Sequence, residues 1–209
     1  MPVNPSIIHQ DARLLVLEKP SGLLAVPGRG PALQDCLAAR VQQCEPEARV
    51  VHRLDRDTSG VMLMALDAEA QRALSRQFEA RTVRKAYQGI VRGLPAADGG
   101  MIDLPIGRDP LRPPTYRIDE TGGRPSQTRW RVLERSGDRT RLEIEPITGR
   151  SHQIRLHLAT LGHPLLGDPL YADDATLRMA PRLLLHATFL AVAHPDDGRP
   201  VAWQSTCPF

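Results

Sequence analysis

Short apolar runs, each bounded by turn-forming or charged residues, mark the first part of the chain. Runs of this length and setting are typical of strands, because helices need longer amphipathic segments. They predict strands at Ile7-Ile8, Leu14–Leu17 and Val61–Leu66. The segment Lys19-Pro20-Ser21-Gly22 predicts a turn after the second strand, since Pro and Gly interrupt regular structure.

Three other segments have apolar residues at the three-and-four spacing of amphipathic helices. These helices are predicted over Leu33–Cys44, after Asp67, and over His152–Leu161. Asp67 can cap the middle helix by accepting hydrogen bonds from its first turn. The apolar stripe of that helix consists of Ala70, Ala73, Leu74 and Phe78. Gly162 and Pro164 predict the end of the last helix.

Alternation of apolar and polar residues later in the chain predicts antiparallel strands. Thr128–Leu133 and Thr140–Ile144 form a predicted hairpin around Ser136-Gly137-Asp138. Further strands are predicted at Tyr87–Val91 and at Arg182–Val192, the second of which closes the chain. The pattern therefore contains many strands and few helices.

The segment Gly93–Pro114 is rich in Gly and Pro and is interpreted as a connection. Strands that arrive in hairpins with few helices between them indicate an α+β fold, with a mixed, largely antiparallel sheet and flanking helices. The chain has no internal repeat, low-complexity tract or evident linker. A single domain over residues 1–209 is therefore predicted.

Composition and charge narrow the function only slightly. The 209 residues are 41% hydrophobic, which is enough for a packed core. The formal net charge is +3, and all but two of the 27 basic residues are Arg, the exceptions being Lys19 and Lys85. Arg suits phosphate binding, although a GC-rich genome would give the same bias. The charge therefore permits nucleic-acid binding without showing it.

The cysteines have no short metal-ligand or disulfide spacing, which favours a cytoplasmic protein; they are Cys36, Cys44 and Cys207. The chain lacks an apolar run of membrane-spanning length, so no membrane partner is expected. His152 and His157 are five residues apart and do not make the i, i+4 pair of a zinc helix. No metal is expected.

The most distinctive polar segment is Val51–Gly60. Its carboxylate Asp55 lies between Arg53 and Arg56 and precedes the turn-forming Thr58-Ser59-Gly60. Nearby cations and charge-assisted hydrogen bonds favour the ionised form of a carboxylate. The sequence therefore predicts a charged Asp55 that can attack an electrophile.

A second charged segment, Thr148–Arg155, offers the matching cation. His152 and Arg155 are three residues apart and share a helix face, whereas Arg150 precedes the helix. Arg155 is therefore predicted as the helix-borne partner of Asp55. His152 could be a ligand, an acid or base, or a hydrogen-bonded structural residue, and the structural role is the default for a single His.

Three functions fit these residues. A carboxylate hydrolase could use Asp55 and Asp57, because glycosidases need paired acids. Asp57, however, lies in a turn-forming sequence beside Arg56, where a solvated surface acid is the usual case. A plain RNA-binding module would typically need aromatic platforms, and aromatic residues make up only 4% of the chain. The third function is an enzyme that adds an ionised Asp to a nucleobase or its sugar. It would need an Arg to hold the acid and an aromatic residue to pack on the base.

The third possibility matches a known family, because several motifs resemble the RluA-type pseudouridine synthases. The motifs are His52-Arg53-Leu54-Asp55-x-x-Thr58-Ser59-Gly60, Lys85-Ala86-Tyr87, Thr148–His157 and Leu161–Asp168. Asp11–Leu23 and Leu183–Ala187 resemble the first and last strands of the family's catalytic domain. The resemblance extends over nearly the whole chain.

The resemblance implies the pseudouridine synthase catalytic fold and the isomerisation of uridine to pseudouridine without a cofactor. It implies that Asp55 acts at the pyrimidine ring or at the sugar, and that Arg155 holds it ionised. Tyr87 would pack on the target base. Arg53 would fill the space left by the extruded base or bind a phosphate, and a salt bridge to Asp57 is the alternative.

Structured RNA is the partner that the resemblance implies. The further candidates for RNA binding or base flipping are His52, Thr58, Arg150, His152 and Ile154. The likeness is strongest to short family members that modify a 23S rRNA hairpin-loop uridine and a tRNA anticodon-loop uridine, and a single-substrate relative is the alternative. No S4-type RNA-binding domain is expected, and a monomer is the default.

Overall fold

A computed structural model describes residues 5–209 of the chain. These residues form two compact units. The first unit is the chain up to Lys85 together with His186–Pro208, and the second is Ala86–Leu185 together with Phe209. Each unit contains paired strands and its own hydrophobic core. The single domain expected from the sequence stays a prediction.

Strands outnumber helices along the chain. In chain order the elements are β1 (Ser6–Gln10), β2 (Leu14–Lys19), a 3-10 helix (Pro31–Leu33), α1 (Leu37–Gln42), β3 (Arg49–Val50), β4 (Ser59–Ala65), α2 (Ala68–Glu79), β5 (Arg84–Arg92), β6 (Gly99–Asp103), β7 (Ile106–Arg108), β8 (Tyr116–Ile118), β9 (Gln127–Ser136), β10 (Arg139–Pro146), α3 (Gln153–Thr160), α4 (Asp174–Leu177), β11 (Leu185–Ala193) and β12 (Pro200–Gln204).

In the first unit, β4 is the strand around which the others pair. It is buried at every position, as its continuous apolar sequence predicts. β2 and β3 pair with it antiparallel, and β1 lies antiparallel beside β2. β11 pairs with β4 in parallel through His186 and Ala187, and β12 lies antiparallel beside β11. The residues just before β4 therefore enter a fully paired strand.

Helix α2 covers part of the core of the first unit. Asp67 caps it, because its carboxylate accepts hydrogen bonds from the backbone N–H groups of Glu69 and Ala70. The predicted stripe is confirmed, since Ala70 and Leu74 are buried and Phe78 packs against the same core. Burial of this stripe, rather than helix propensity, holds the helix in place.

The second unit contains the antiparallel strands β5, β10, β9 and β6, in that order, and the separate hairpin of β7 and β8. The predicted hairpin is confirmed: Ser136 pairs with Arg139 across a two-residue turn in which Gly137 has a φ of 59°. Trp130, Leu142 and Ile144 are buried on one face of this hairpin. The predicted α+β fold with a mixed, largely antiparallel sheet is confirmed.

The first predicted helix is shorter than expected. Leu33 lies in the 3-10 helix, and α1 begins only at Leu37. The Cys36 Sγ atom accepts a hydrogen bond from the Ala39 N–H at 3.3 Å, so Cys36 caps the helix instead of lying inside it. The spacing was helical, but Pro31 starts a separate turn of 3-10 helix before the α-helix can form.

The prediction of a connection over Gly93–Pro114 is wrong, because β6 and β7 lie within it. In β6, Gly99 allows a close approach of the neighbouring strand, whereas a side chain at Gly100 would make only an ordinary contact. A Cβ atom on Gly99 would lie 2.8 Å from the backbone oxygen of Trp130, and one on Gly100 would lie 3.4 Å from the indole Nε1. Glycine in a strand often marks such a close approach.

The last predicted strand also differs in extent. β11 begins at Leu185 rather than Arg182, and β12 follows it near the end of the chain. Residues Arg182–Leu184 belong to the segment before the strand, where the Leu184 N–H donates to the Leu166 carbonyl. Among residues 5–209, no helix is both long enough and apolar enough to cross a membrane.

Candidate active site

A buried lysine anchors the segment that follows Asp55. Lys19 is 0% exposed, and its Nζ donates to the carbonyls of Pro20, Leu23 and Arg56 at 2.9, 2.6 and 2.9 Å. Three charge-assisted hydrogen bonds offset much of the cost of burying the ammonium group. The turn predicted after β2 is thereby joined to the peptide next to Asp55.

The same turn makes further contacts with this segment. The Gly22 N–H donates to the Arg56 carbonyl at 2.9 Å, and the Arg56 Nε donates back to the Gly22 carbonyl at 3.0 Å. The Ser21 hydroxyl donates to the Asp57 carbonyl at 2.7 Å. These bonds fix the backbone that follows Asp55. The contact with Ser21 uses the backbone carbonyl of Asp57 and not its carboxylate.

Buried polar contacts hold the start of β4. Ser59 Oγ lies 2.8 Å from Nδ1 of the buried His186, whose Nε2 lies 2.8 Å from Ser205 Oγ. Gly60 has a φ of 114°, and a Cβ atom there would lie 2.2 Å from the Ala187 carbonyl oxygen. Only glycine allows β4 and β11 to approach this closely. The segment carrying Asp55 is therefore fixed beyond its carboxyl end.

The residues around Asp55 differ in exposure as a site requires. Leu54 is 5% exposed and anchors the segment, Asp55 is half-buried, and Arg53 is exposed. Within residues 5–209, Arg53 forms no ion pair with Asp57, so the salt bridge considered as an alternative is not present. Thr58, a predicted RNA contact, is only 2% exposed.

His52 packs inside the first unit. Its Nε2 accepts a hydrogen bond from the Leu63 N–H at 3.0 Å, and its ring stacks on Phe78 with centroids 4.7 Å apart. Desolvation, followed by the charge of Lys85, lowers the pKa of His52 to about 3. The ring is therefore neutral near pH 7 and supports β4. An RNA contact by His52 stays a prediction.

The pKa of His52 leads to a prediction about stability. Because the pKa is lowered in the folded state, the unfolded chain binds the extra proton between about pH 6.5 and about pH 3, and stability falls as the pH falls through this range. His52 alone should change the free energy of unfolding by up to about 1.4 kcal/mol per pH unit in this range. In His52→Gln, the amide oxygen can still accept the Leu63 N–H. The free energy of unfolding of this variant, measured by urea unfolding at several pH values, should depend less on pH than that of the wild type. An unchanged pH dependence would contradict the prediction.

In the second unit, Arg155 is paired with Asp168, a carboxylate for which the motifs predicted no role. Its Nε and Nη2 donate to the two oxygens of Asp168 at 2.9 and 2.6 Å, and the two side chains are 2% and 1% exposed. Asp168 also accepts the backbone N–H groups of Leu170 and Tyr171. This buried bidentate pair fixes the plane of the guanidinium group.

Gln153 is a second residue that the sequence analysis left out. It is 3% exposed, and its amide oxygen accepts from the Thr148 hydroxyl and the Arg150 N–H at 2.7 and 3.0 Å. Its amide nitrogen donates to the Gln127 carbonyl and to Thr128 Oγ1 at 2.9 and 3.0 Å. With both ends satisfied, Gln153 ties the segment before α3 to β9.

The same network extends to a buried histidine. His157 Nδ1 lies 2.8 Å from Thr128 Oγ1, and its Nε2 lies 3.0 Å from the Leu104 carbonyl oxygen. Because a carbonyl only accepts, Nε2 carries the proton and Nδ1 accepts from the threonine. Burial lowers the pKa of His157. The two histidines of this segment thus differ: His157 supports the fold, and His152 begins α3.

The remaining candidates of the second unit occupy different settings. Tyr87 is half-buried, pairs with Ile144 across β5 and β10, and packs on the core. Arg150 and His152 are half-buried. Ile154 is 7% exposed within the core, a position that offers little surface to RNA. The structure places Asp55 in the first unit and Tyr87 and Arg155 in the second.

Asp168 could have been found from the sequence. It ends the motif Leu161–Asp168 and follows the apolar run that ends at Leu166, and an Asp that is buried beside such a run needs a partner. The identity of that partner depends on how the chain folds back onto α3. No comparable signal marks Gln153, because two of its four partners, Gln127 and Thr128, lie 26 and 25 residues earlier in the chain.

The chain matches a family described as RNA pseudouridylate synthase over residues 13–160. It is 44% identical over 204 residues to the dual-specificity RNA pseudouridine synthase RluA of Escherichia coli strain K12, covering 97% of this chain and 93% of the relative. The Yersinia pestis protein of the same name is also 44% identical over 204 residues, covering 97% and 99%. A solved structure of human RNA pseudouridylate synthase domain containing 1 matches with a TM-score of 0.82 and 31% identity, covering 99% of this chain and 84% of that one.

The chain belongs to the RNA pseudouridylate synthase family. It is an isomerase that acts on RNA, as the motifs predicted. The predicted pseudouridine synthase fold is confirmed by the solved relative. The carboxylate hydrolase and the plain RNA-binding module are therefore set aside.

Proposed function

We propose that this enzyme has dual specificity and forms pseudouridine in two classes of RNA, a 23S rRNA hairpin loop and a tRNA anticodon loop. The observation that supports this most is the 44% identity, over 97% of the chain, to enzymes named for dual specificity. The cytoplasmic location expected from the cysteines fits RNA as the partner. A monomer remains the simplest expectation.

We propose Asp55 as the nucleophile, acting at the pyrimidine ring or at the sugar. In the reaction, the bond from C1′ to N1 breaks and a bond from C1′ to C5 forms, while C5 loses a proton and N1 gains one. The reaction involves no net oxidation or hydrolysis. A half-buried carboxylate on a segment anchored by Lys19 and Ser59 supports this role, because a fixed nucleophile loses little entropy on attack.

Arg155 is the residue that we propose to hold Asp55 ionised and oriented. Its pair with Asp168 takes Nε and Nη2 and fixes the guanidinium plane. Arginine carries five N–H donors, so this pair does not exhaust the group. Tyr87 is proposed to pack on the target base, and its half-buried setting in β5 is compatible with that role.

The target uridine has to leave its stack before it can react, at a cost of a few kcal/mol. We propose that Arg53 compensates by filling the vacated space or binding a phosphate. Its exposure and its lack of an ion pair with Asp57, within the part of the chain that the structure describes, support this role. Arg150 and His152 are proposed to bind the RNA. The burial of Thr58 and Ile154 and the stacked, hydrogen-bonded ring of His52 favour a supporting role for these three residues.

The proposal of dual specificity is tested with two separate RNAs. The purified protein is incubated with a tRNA anticodon stem-loop and with a 23S rRNA stem-loop, and pseudouridine is mapped in each by chemical labelling. We expect a single modified uridine in both RNAs. Modification of only one would show a single-substrate enzyme. A pseudouridine map of total RNA from a deletion strain should lack the same two sites.

A further inference from the structure

Tyr171 contacts two proposed site residues at once. Its hydroxyl lies 2.9 Å from Nδ1 of His152, and its ring lies under Arg155, with the guanidinium carbon 5.4 Å from the ring centroid. The Tyr171 N–H donates to the carboxylate of Asp168, which is the ion-pair partner of Arg155. These residues all belong to the second unit.

The hydrogen bonds around the hydroxyl define a direction. The backbone N–H of Tyr116 donates to the Tyr171 oxygen at 2.9 Å. Because that oxygen already accepts a hydrogen bond, its own proton can be donated to Nδ1 of His152. The imidazole proton then resides on Nε2. The rings of Tyr116 and Tyr171 also meet His152 edge-on, at centroid distances of 5.2 and 5.7 Å.

His152 needs such support because of its backbone. It immediately precedes α3 and has a φ of 56°, in the left-handed region that non-glycine residues rarely adopt, and its side chain does not cap the helix. A strained residue persists only where its surroundings fix it. The hydroxyl of Tyr171 and the two flanking rings supply contacts that hold the imidazole in this position.

Arg155 is fixed in two directions. Asp168 binds the edge of the guanidinium group through two hydrogen bonds, and Tyr171 covers its face. An edge contact alone fixes the plane, and a face contact prevents the group from moving out of that plane. The segment from Asp168 to Tyr171 therefore determines where the guanidinium of Arg155 lies.

We propose that Tyr171 is a positioning residue with two separable parts: its hydroxyl orients His152 for RNA binding, and its ring orients Arg155 for catalysis. The inference rests on the roles proposed above for His152 and Arg155. One side chain would thus position both an RNA-binding group and a group that acts on the nucleophile.

Two substitutions separate the parts. Tyr171→Phe keeps the ring and removes the hydroxyl, with its hydrogen bonds to His152 and to the Tyr116 N–H. KM for a stem-loop RNA should rise about fivefold, the effect of the one hydrogen bond that His152 loses, with kcat changed less than about twofold. Tyr171→Leu also removes the face contact, so kcat should fall at least about tenfold. Tyr116→Phe is the matched control, because it removes a hydroxyl from the neighbouring ring and keeps the backbone donor. It should match the wild type.

A second readout reports on orientation directly. Nitrogen NMR of the imidazole should show His152 with its proton on Nε2 in the wild type and a mixture of tautomers in Tyr171→Phe, a change that a purely structural role would not produce. Wild-type kinetics and an unchanged tautomer in Tyr171→Phe would overturn the inference, as would equal kcat values in the two Tyr171 variants. Because Tyr171→Phe preserves packing, these results stay interpretable even if Tyr171→Leu is unstable. Activity of an Asp55→Asn variant would instead overturn the proposed catalytic role.

Discussion

Asp55→Asn is expected to lower the rate of pseudouridine formation by at least about 10³-fold, the scale seen when a nucleophile is removed from other enzymes. Asparagine has nearly the same shape but lacks the charge and the nucleophilic oxygen. The anchors of the segment are backbone and side-chain bonds of Lys19, Ser21 and Ser59, and none of those described uses the Asp55 carboxylate. The rate is measured by tritium release from RNA labelled at C5 of uridine.

RNA affinity and the free energy of unfolding should change little in Asp55→Asn, which distinguishes lost chemistry from lost structure. Asp57→Asn provides a matched control two residues away. Ser21 binds the Asp57 carbonyl and not its carboxylate, so removal of this charge should leave most of the activity. Turnover of Asp55→Asn near the wild-type rate would rule out Asp55 as the nucleophile, and a comparable loss in Asp57→Asn would move the role to the neighbouring acid.

Sequence patterns predicted the elements whose burial is regular. The continuous apolar run of β4 indicates a strand that is buried on both faces. The alternation of apolar and polar residues in β9 and β10 indicates strands with one buried face, so all three strands could be predicted from the sequence. The stripe of α2 and its cap at Asp67 are equally local signals. In all these elements, the residues that determine the structure are neighbours in sequence.

The elements that were missed depend on distant partners. Gly99 and Gly100 belong to the segment interpreted as a connection, but they lie in β6, where they pair with Arg131 and Trp130 of β9. Cys36 fits a helical stripe and nevertheless caps α1. Nothing in the local sequence distinguishes these alternatives, since the competing energies come from packing against other segments.

The site shows the same division. The motifs predicted roles for Asp55, Arg155 and His152, and two of these three contact residues to which the sequence assigned no role. Arg155 binds Asp168, thirteen residues later, and His152 binds Tyr171, nineteen residues later. Such pairs arise when the chain after α3 folds back, which periodicity cannot predict. A buried charge does require a partner, so the existence of one could be inferred although its identity could not.

Breaking the pair of Arg155 and Asp168 should cost much of the stability. Asp168→Asn removes the negative charge that two N–H donors of a buried guanidinium group bind, and the free energy of unfolding should fall by about 3–5 kcal/mol. Arg131→Ala is the matched control: Arg131 also binds a carboxylate, Glu143, through two hydrogen bonds, but their side chains are 61% and 38% exposed. An exposed pair contributes at most about 1 kcal/mol. Urea unfolding measures both variants.

The double variant Arg155→Met, Asp168→Leu separates stability from catalysis. Replacement of a buried ion pair by apolar side chains of similar size is often neutral or stabilising, so most of the stability lost in Asp168→Asn should return. Pseudouridine formation should not return, because the cation proposed to hold Asp55 is absent. A double variant that is both stable and active would show that Arg155 serves only the fold. A loss in Asp168→Asn no larger than that in Arg131→Ala would show that the buried pair adds nothing beyond a surface contact.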